Sequence, residues 1–466
     1  MGAVNGSALS PLDRTVLTTI AACLAVVVLL IWRGDRVGLR VVDFSPADGA
    51  GDVSPHTAIS VRFDAPLALG AGSPFRIEPT VTGPVLWKDD RVELRPADAL
   101  QAGRRYTVTL AQDLAARDGR QLRREQRWSF SVGGSALVFL RRAEGSGLAQ
   151  LWRVDPDGAE ARTLADEPET GIWDYAVAPD GQRVAYTVVL ATGASQLIGI
   201  NRDGSDRRLL LDCPDAECSG PSWAPDGQTL VYEKRVIPPG GGPSGPPRLW
   251  WLRPESAQTV PVLNDSQQLG FGARFAPDGK RLAYVSPDDG AIRILDLGSQ
   301  SETLVESEMG ESPAWSPDGQ RLLVGRVAAG RVQFAVHLLL VELNKPENRP
   351  LDLSPVDGPP VEDGLPVWSS DGDWIAFTRR YTAGPDLNLG RQVWLMRPDG
   401  SESRRLSRDQ TQGYGQPSWS PDGKLLALQS ISIADLGAEP ALLVLDAADG
   451  SLRARVERAL QPNWLP

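Results

Sequence analysis

Carboxylates are the side chains of this chain best placed, by number and clustering, to do chemistry. Its 466 residues hold 59 Asp and Glu against 48 Lys and Arg, a net charge of −11, with 2 His and 3 Cys. That count excludes a catalytic or metal centre built on several histidines. No cofactor is expected, and the acidic balance disfavours nucleic-acid binding. The acids gather in short segments between apolar runs: Asp166, Glu167 and Glu169; Asp212, Asp215 and Glu217; Glu306, Glu308 and Glu311; Glu362 and Asp363. The segments holding them, with NDSQQLGF from Asn264, carry −13, more than the whole chain. A face of that sign favours a protein or peptide partner, a cationic one above all; the plainer reading is solubility. Tyr414 lies in a further such segment and, with Trp173, would give a polysaccharide a stacking platform. Glu306, Glu308 and Glu311 are also the candidate carboxylates of a hydrolase or lyase, although no base and nucleophile pair up by spacing. No catalytic motif is found, the G-x-S-x-G elbow included, so the chain is expected not to be an enzyme.

His56 and His337 read as structural residues. Cys213 and Cys218 stand in DCPDAEC. They form a disulfide, stay as free thiols, or bind a metal, for which two more ligands would be needed. A bridge over so short a loop contributes about 2 kcal/mol in the chain-entropy model and implies an oxidising compartment.

The elements that must position these residues follow a repeat. VAPDGQRVAY from Val177, WAPDGQTLVY from Trp223, FAPDGKRLAY from Phe275, WSPDGQRLLV from Trp315, WSSDGDWIAF from Trp368 and WSPDGKLLAL from Trp419 share an aromatic or apolar residue, an Asp-Gly turn and an alternating strand. Their Asp residues are spaced 40 to 53 apart, room for four strands with tight turns. Pro presets φ, Asp accepts nearby backbone N–H groups and Gly takes positive φ, so the motif needs no calcium ion to explain it. A seventh copy is split. ALVFL at Ala136 lacks the aromatic strand, and QPNWLP brings Trp464 where that residue is wanted. The C-terminal segment is thus expected to close the first sheet, giving a seven-bladed β-propeller with no free sheet edge. Loops between blades and between the second and third strands fall on one face, which carries the acidic segments and the insertions 237–248 and 379–392.

The repeat resembles the TolB-type, WD40-like propeller repeat and covers about 330 residues. Proteins with it bind proteins, peptides or saccharides, and some carry it beside a serine hydrolase domain. Before it, FSPADGAGDVSPHTAISVRFDAPL from Phe44, then LQAGRRYTVTLAQDLAARDGRQL from Leu100 and WSFSV, resemble the bacterial Ig-like domain of S-layer-type proteins. That family implies a spacer or adhesion module.

The organisation expected is all-β. It comprises a tail (1–13), a transmembrane signal-anchor helix (14–33), an Ig-like β-sandwich (38–132) and a propeller (133–466). Residues 15–32 run without a charge for roughly 27 Å at about 1.5 Å per residue, enough for a bilayer core. The competing readings are a lipoprotein box at Cys23 and a cleaved signal peptide. Arg33, Arg36 and Arg40 would by the positive-inside rule hold the C-terminal side in the cytoplasm. The Ig-like unit and the cysteine pair argue instead for a single-pass cell-membrane protein with extracytoplasmic domains.

Overall fold

A computed structural model describes residues 11–34 and 38–466, apart from 71, 113, 241, 266, 329–333, 345–349, 356–358 and 436. The first ten residues of the expected tail lie outside it. The helix Pro11–Gly34 covers the uncharged run. Its apolar side chains Val16, Ile20, Leu24, Val26, Val27 and Val28 are exposed. Among the described residues no helix is long and apolar enough to cross a membrane.

The chain divides into two compact units, residues 1–53 with 57–132, and 54–56 with 133–466. The first is built of a four-stranded sheet (Val41–Ser45, Ile59–Phe63, Arg91–Leu94, Val85–Trp87) and a three-stranded one (Phe75–Glu78, Arg105–Leu110, Gln126–Ser131). Both contribute to one core, in which Trp128 stacks on Phe44 with ring centroids 4.5 Å apart. Phe75–Glu78 and Val85–Trp87 are too short, at four and three residues, to stand out by alternation.

The second unit is a succession of antiparallel four-stranded arrays. After the first, each begins with an innermost strand, turns through the Asp-Gly motif into an apolar strand, and adds two outer strands. The innermost strands are Asp174–Val177, Ala216–Trp223, Phe271–Phe275, Ala314–Trp315, Val361–Trp368, Ser418–Trp419 and Ala459–Leu465. They touch in that cyclic order, and Ala459–Leu465 returns to Asp174–Val177. Ala459–Leu465 also pairs antiparallel with Ala136–Arg142, setting Asn463 opposite Val138 and Trp464 opposite Leu137. The last strand therefore completes the first sheet.

The motif tryptophans explain why neighbouring sheets sit at a fixed spacing. Each indole N–H donates to the carbonyl just before the motif position of the preceding sheet: Trp223 to Ala176, Trp315 to Arg274, Trp368 to Ala314, Trp419 to Val367 and Trp464 to Ser418, at 2.9–3.3 Å. Where the motif begins with Val177, the Tyr175 hydroxyl two residues earlier donates to Val138 at 2.7 Å. The indole's apolar body and single donor are both satisfied, which suits a half-buried junction. Each such bond contributes about 1 kcal/mol net.

Trp464 is 5% exposed and belongs to the cluster that joins the first sheet to the last. Trp464→Ala is expected to cost about 3–5 kcal/mol. Deleting residues 460–466 should lower the melting temperature further still; calorimetry of the two variants checks both.

Candidate functional site

The turns come first, because they hold half of the sheet connections rigid. In every copy an Asp oxygen accepts the N–H two residues on: Asp180 from Gln182, Asp226 from Gln228, Asp278 from Lys280, Asp318 from Gln320, Asp371 from Asp373 and Asp422 from Lys424, at 2.8–3.2 Å. Where the motif carries Ser, its hydroxyl oxygen accepts the N–H five residues on, as Ser316 does from Arg321, Ser369 from Trp374 and Ser420 from Leu425, each at 2.9 Å. These acids are used up in turn geometry. Among the described residues no group of three or more His, Cys, Asp or Glu is placed to hold a metal ion.

A second set of side chains works at the opposite ends of the sheets. Four innermost strands contain a register shift with a positive-φ residue: Gly220 (61°), Gly272 (62°), Leu365 (50°) and Gln461 (50°). Each of these N–H groups points away from its own ladder. Each is taken by a side chain of a preceding sheet or its leading loop: Asp174 for Gly220, Glu233 for Gly272, Glu311 for Leu365 and Gln429 for Gln461, at 2.7–3.1 Å. A bulge that would orphan a donor thus becomes a link between sheets. Burial pushes the Asp174 and Glu233 carboxyls above the usual carboxylate range, and Asp174 adds to the effect on Glu233. Glu311, read from sequence as a loop acid, is in this way a bulge acceptor.

Three further expectations are corrected. Glu362 and Asp363 do not lie on an exposed loop. They belong to the strand Val361–Trp368 and are 7% and 1% exposed. The strand beside them brings Arg380 opposite Glu362 and Arg379 opposite Asp363. Asp363 makes a bidentate pair with Arg379, both contacts at 2.6 Å, and accepts the Ser354 hydroxyl at 2.5 Å. Glu362 pairs with Arg380 at 2.6 Å and Arg391 at 3.6 Å. Fully paired buried charges are cores, not recognition groups. Tyr414, 6% exposed, packs in the apolar cluster between the last two sheets, so it is no stacking platform. The Pro- and Gly-rich run before Val361 disguised the strand; the Arg-Arg pair closing the alternating strand after Trp368 was the signal that it had charges to neutralise.

Cys213 and Cys218 are joined by a disulfide between the outer strand Arg208–Cys213 and the innermost strand Ala216–Trp223. It ties two consecutive sheets together. His337 is 5% exposed and meets Asp352 at 2.8 Å. His56 is held below the usual histidine value by burial.

What remains exposed is a smaller acidic set: Asp166, Glu169, Asp212, Asp215, Glu306 and Glu308. Glu167 is engaged by the Tyr186 hydroxyl at 2.7 Å and by Arg207 at 2.8 Å, and Glu217 is half-buried. Glu306 faces Arg326 at 3.4 Å, while Glu308 accepts the Val327 N–H at 3.2 Å. With Glu311 committed elsewhere, the three do not converge as a catalytic group would.

Apolar residues share this end of the sheets. Trp173, on the connection that carries Asp166 and Glu169, is 64% exposed. Phe334, Leu387 and Leu389 are 56%, 59% and 76% exposed on two second-to-third-strand connections. Those connections meet where the Thr382 hydroxyl donates to the Phe334 carbonyl at 3.1 Å. The insertion holding Leu387 and Leu389 stood out by length; nothing in the sequence marked Phe334.

Comparison with known proteins is consistent with this architecture. Residues 256–442 match the model of the TolB beta propeller domain, and residues 35–132 that of a bacterial Ig-like domain. A protein TolB homolog of Chlorobium luteolum is 27% identical over 207 residues, 43% of this chain and 42% of the relative. The uncharacterized peptidase YuxL of Bacillus subtilis is 25% identical over 185 residues, 32% of this chain and 27% of the relative. The chain thus spans less than half the length of these curated relatives. A solved prolyl endopeptidase structure shares the fold at 14% identity with a TM-score of 0.50, over 77% of this chain and 49% of that one.

Two classes of carboxylate predict opposite responses to acid. Hydrogen bonds from the Ser316 and Ser369 hydroxyls, with a backbone N–H each, hold Asp318 and Asp371 below the usual range. Their stabilisation is complete above about pH 4 and is lost as pH falls through the lowered folded-state values. Asp174 and Glu233, raised by burial, favour the folded state when protonated, so they add stability as pH falls through their raised values. Asp318→Asn with Asp371→Asn should therefore lower the melting temperature at pH 7 and lose that deficit in strong acid. Asp174→Asn should flatten the profile at higher pH; thermal melts across pH check both.

Proposed function

We propose that this chain is a recognition protein whose seven-bladed propeller binds a protein or peptide at the end of the sheets opposite the Asp-Gly turns. The observation that carries the reading is the joint exposure of Trp173, Phe334, Leu387 and Leu389 among Asp166, Glu169, Asp212, Asp215, Glu306 and Glu308. Exposed aromatic and aliphatic anchors ringed by charge are the composition of a protein interface. The acids favour a cationic partner and its rate of encounter. Similarity to TolB-type propellers supports a binding role, and similarity to an uncharacterized peptidase leaves a catalytic one as the alternative. With Tyr414 buried, Trp173 and Phe334 are the exposed aromatics left at this end, among the described residues, for the polysaccharide reading.

The finer parts of the proposal rest on sequence. Although no helix among the described residues is long and apolar enough to cross a membrane, the uncharged run 15–32 and its exposed apolar side chains support a single-pass membrane tether. The Ig-like unit and propeller stand on the extracytoplasmic side, where the Cys213–Cys218 disulfide persists.

Affinity capture with the full chain tests the binding role. Leu387→Ser with Leu389→Ser should release the captured partner, and Glu306→Gln with Glu308→Gln and Asp215→Asn should slow association about tenfold at low salt. Equal capture by both variants would remove the face from consideration. For the tether, Val27→Arg with Val28→Arg should shift the protein from the carbonate-resistant membrane fraction to the soluble one.

A further inference from the structure

A cavity of about 400 Å³ opens at the Asp-Gly turn end between the sheet that begins with Ala216–Trp223 and the one that begins with Phe275's strand, Phe271–Phe275. It lies away from the face discussed above and does not depend on that reading. Thr229, Trp251, Phe275, Arg253, Asp226 and Val260 are among its walls.

The other junctions show what normally fills this space. The residue two after the motif Gly is Arg183, Thr229, Arg281, Arg321, Trp374 and Leu425 in successive sheets. Arg183, Arg281 and Arg321 lie over the next sheet's Trp223, Trp315 and Trp368, with guanidinium-to-ring distances of 4.9, 5.2 and 4.6 Å. Arg281 also donates to the Gly319 carbonyl at 2.7 Å. In the sheet of Trp374 the order is inverted: the ring comes from the second strand, and Arg397, from the end of the third, covers it at 3.9 Å. Thr229 is the shortest side chain in the series, and with Leu425 it is one of two that bring neither a guanidinium nor a ring. Across from it the aromatic is Phe275, which lacks the indole donor.

The ladder makes the inverted case the relevant template. Leu230 pairs with Leu252, which sets Thr229 level with Arg253. Ile375 pairs with Met396, which sets Trp374 level with Arg397. Arg253 thus occupies the place of Arg397, and among the described residues no ring lies beneath it. We infer that this cavity binds a planar aromatic group from outside the chain, seated where Trp374 sits in its own sheet. Arg253 covers one face of the ring, and Trp251 and Phe275 (centroids 5.7 Å apart) supply the aromatic walls. A guanidinium occupant is disfavoured, because Arg253 would repel it. The volume falls within the range of ligand pockets, about 300–1,000 Å³.

Titration of the full chain with N-acetyl-tryptophanamide, followed by calorimetry and saturation-transfer NMR, tests the assignment. Saturable binding is expected, with N-acetyl-leucinamide at least tenfold weaker. Thr229→Trp supplies the ring in cis and should abolish binding while raising the melting temperature. Arg253→Gln should weaken binding about fivefold, as loss of a cation–π contact of about 1 kcal/mol implies. Indole alone binding as tightly as the amide would identify a free aromatic molecule as the occupant; a tighter amide would identify a peptide side chain. The inference falls if the native chain shows no saturable binding or if leucinamide binds equally. It also falls if a folded Thr229→Trp keeps its affinity. Should Thr229→Trp melt below the native chain, Arg253→Gln decides, and unchanged affinity there overturns the proposal.

Discussion

One indole hydrogen bond, repeated from sheet to sheet, is the constraint on which the second unit depends. A β-sheet face is a poor ruler, since apolar side chains accept a range of separations and rotations. A tryptophan N–H aimed at a single carbonyl of the neighbouring innermost strand removes that freedom. Trp223, Trp315, Trp368, Trp419 and Trp464 each choose the same acceptor position relative to the preceding motif. The arginines stacked on three of these rings, reaching from one turn to the next, reinforce the spacing. Because the ring is closed, an error in one junction would have to be absorbed by all the others.

Acidic side chains divide by environment into three kinds of work, although the sequence presents them alike. Those in the Asp-Gly turns accept local N–H groups and fix the tight connections. Asp174, Glu233 and Glu311 reach across to bulged strands, and Asp363 neutralises a buried arginine. The remainder face water beside exposed Trp173 and Glu306's neighbours, and these are the ones free to meet a partner. Net charge by itself therefore overstates the acidity available for recognition.

The repeat made the sheets legible, because turn chemistry and alternation are local and recur. The split copy was legible too, since Trp464 had to serve some junction. Burial of Glu362 and Asp363 was not, because it depends on which residues the adjacent strand places opposite, and a Pro- and Gly-rich approach hid that the strand had begun. Tyr414 shows the same difficulty: a short polar segment looks like loop until its neighbours cover it. The bulge acceptors escaped notice because a register shift leaves little trace in composition, and two of the four shifted residues, Leu365 and Gln461, are not glycine.

The pairing of Ala459–Leu465 with Ala136–Arg142 has a bearing on biogenesis. More than three hundred residues separate the partners, so during synthesis the earlier strand must wait, its apolar edge unmated, until nearly all of the unit has emerged. Contacts so distant along the chain fold slowly and leave a template for mispairing in the meantime. The nascent molecule is thereby most vulnerable to aggregation just before its final strand arrives, and a holding factor acting in that interval would matter more to its yield than any gain in finished stability.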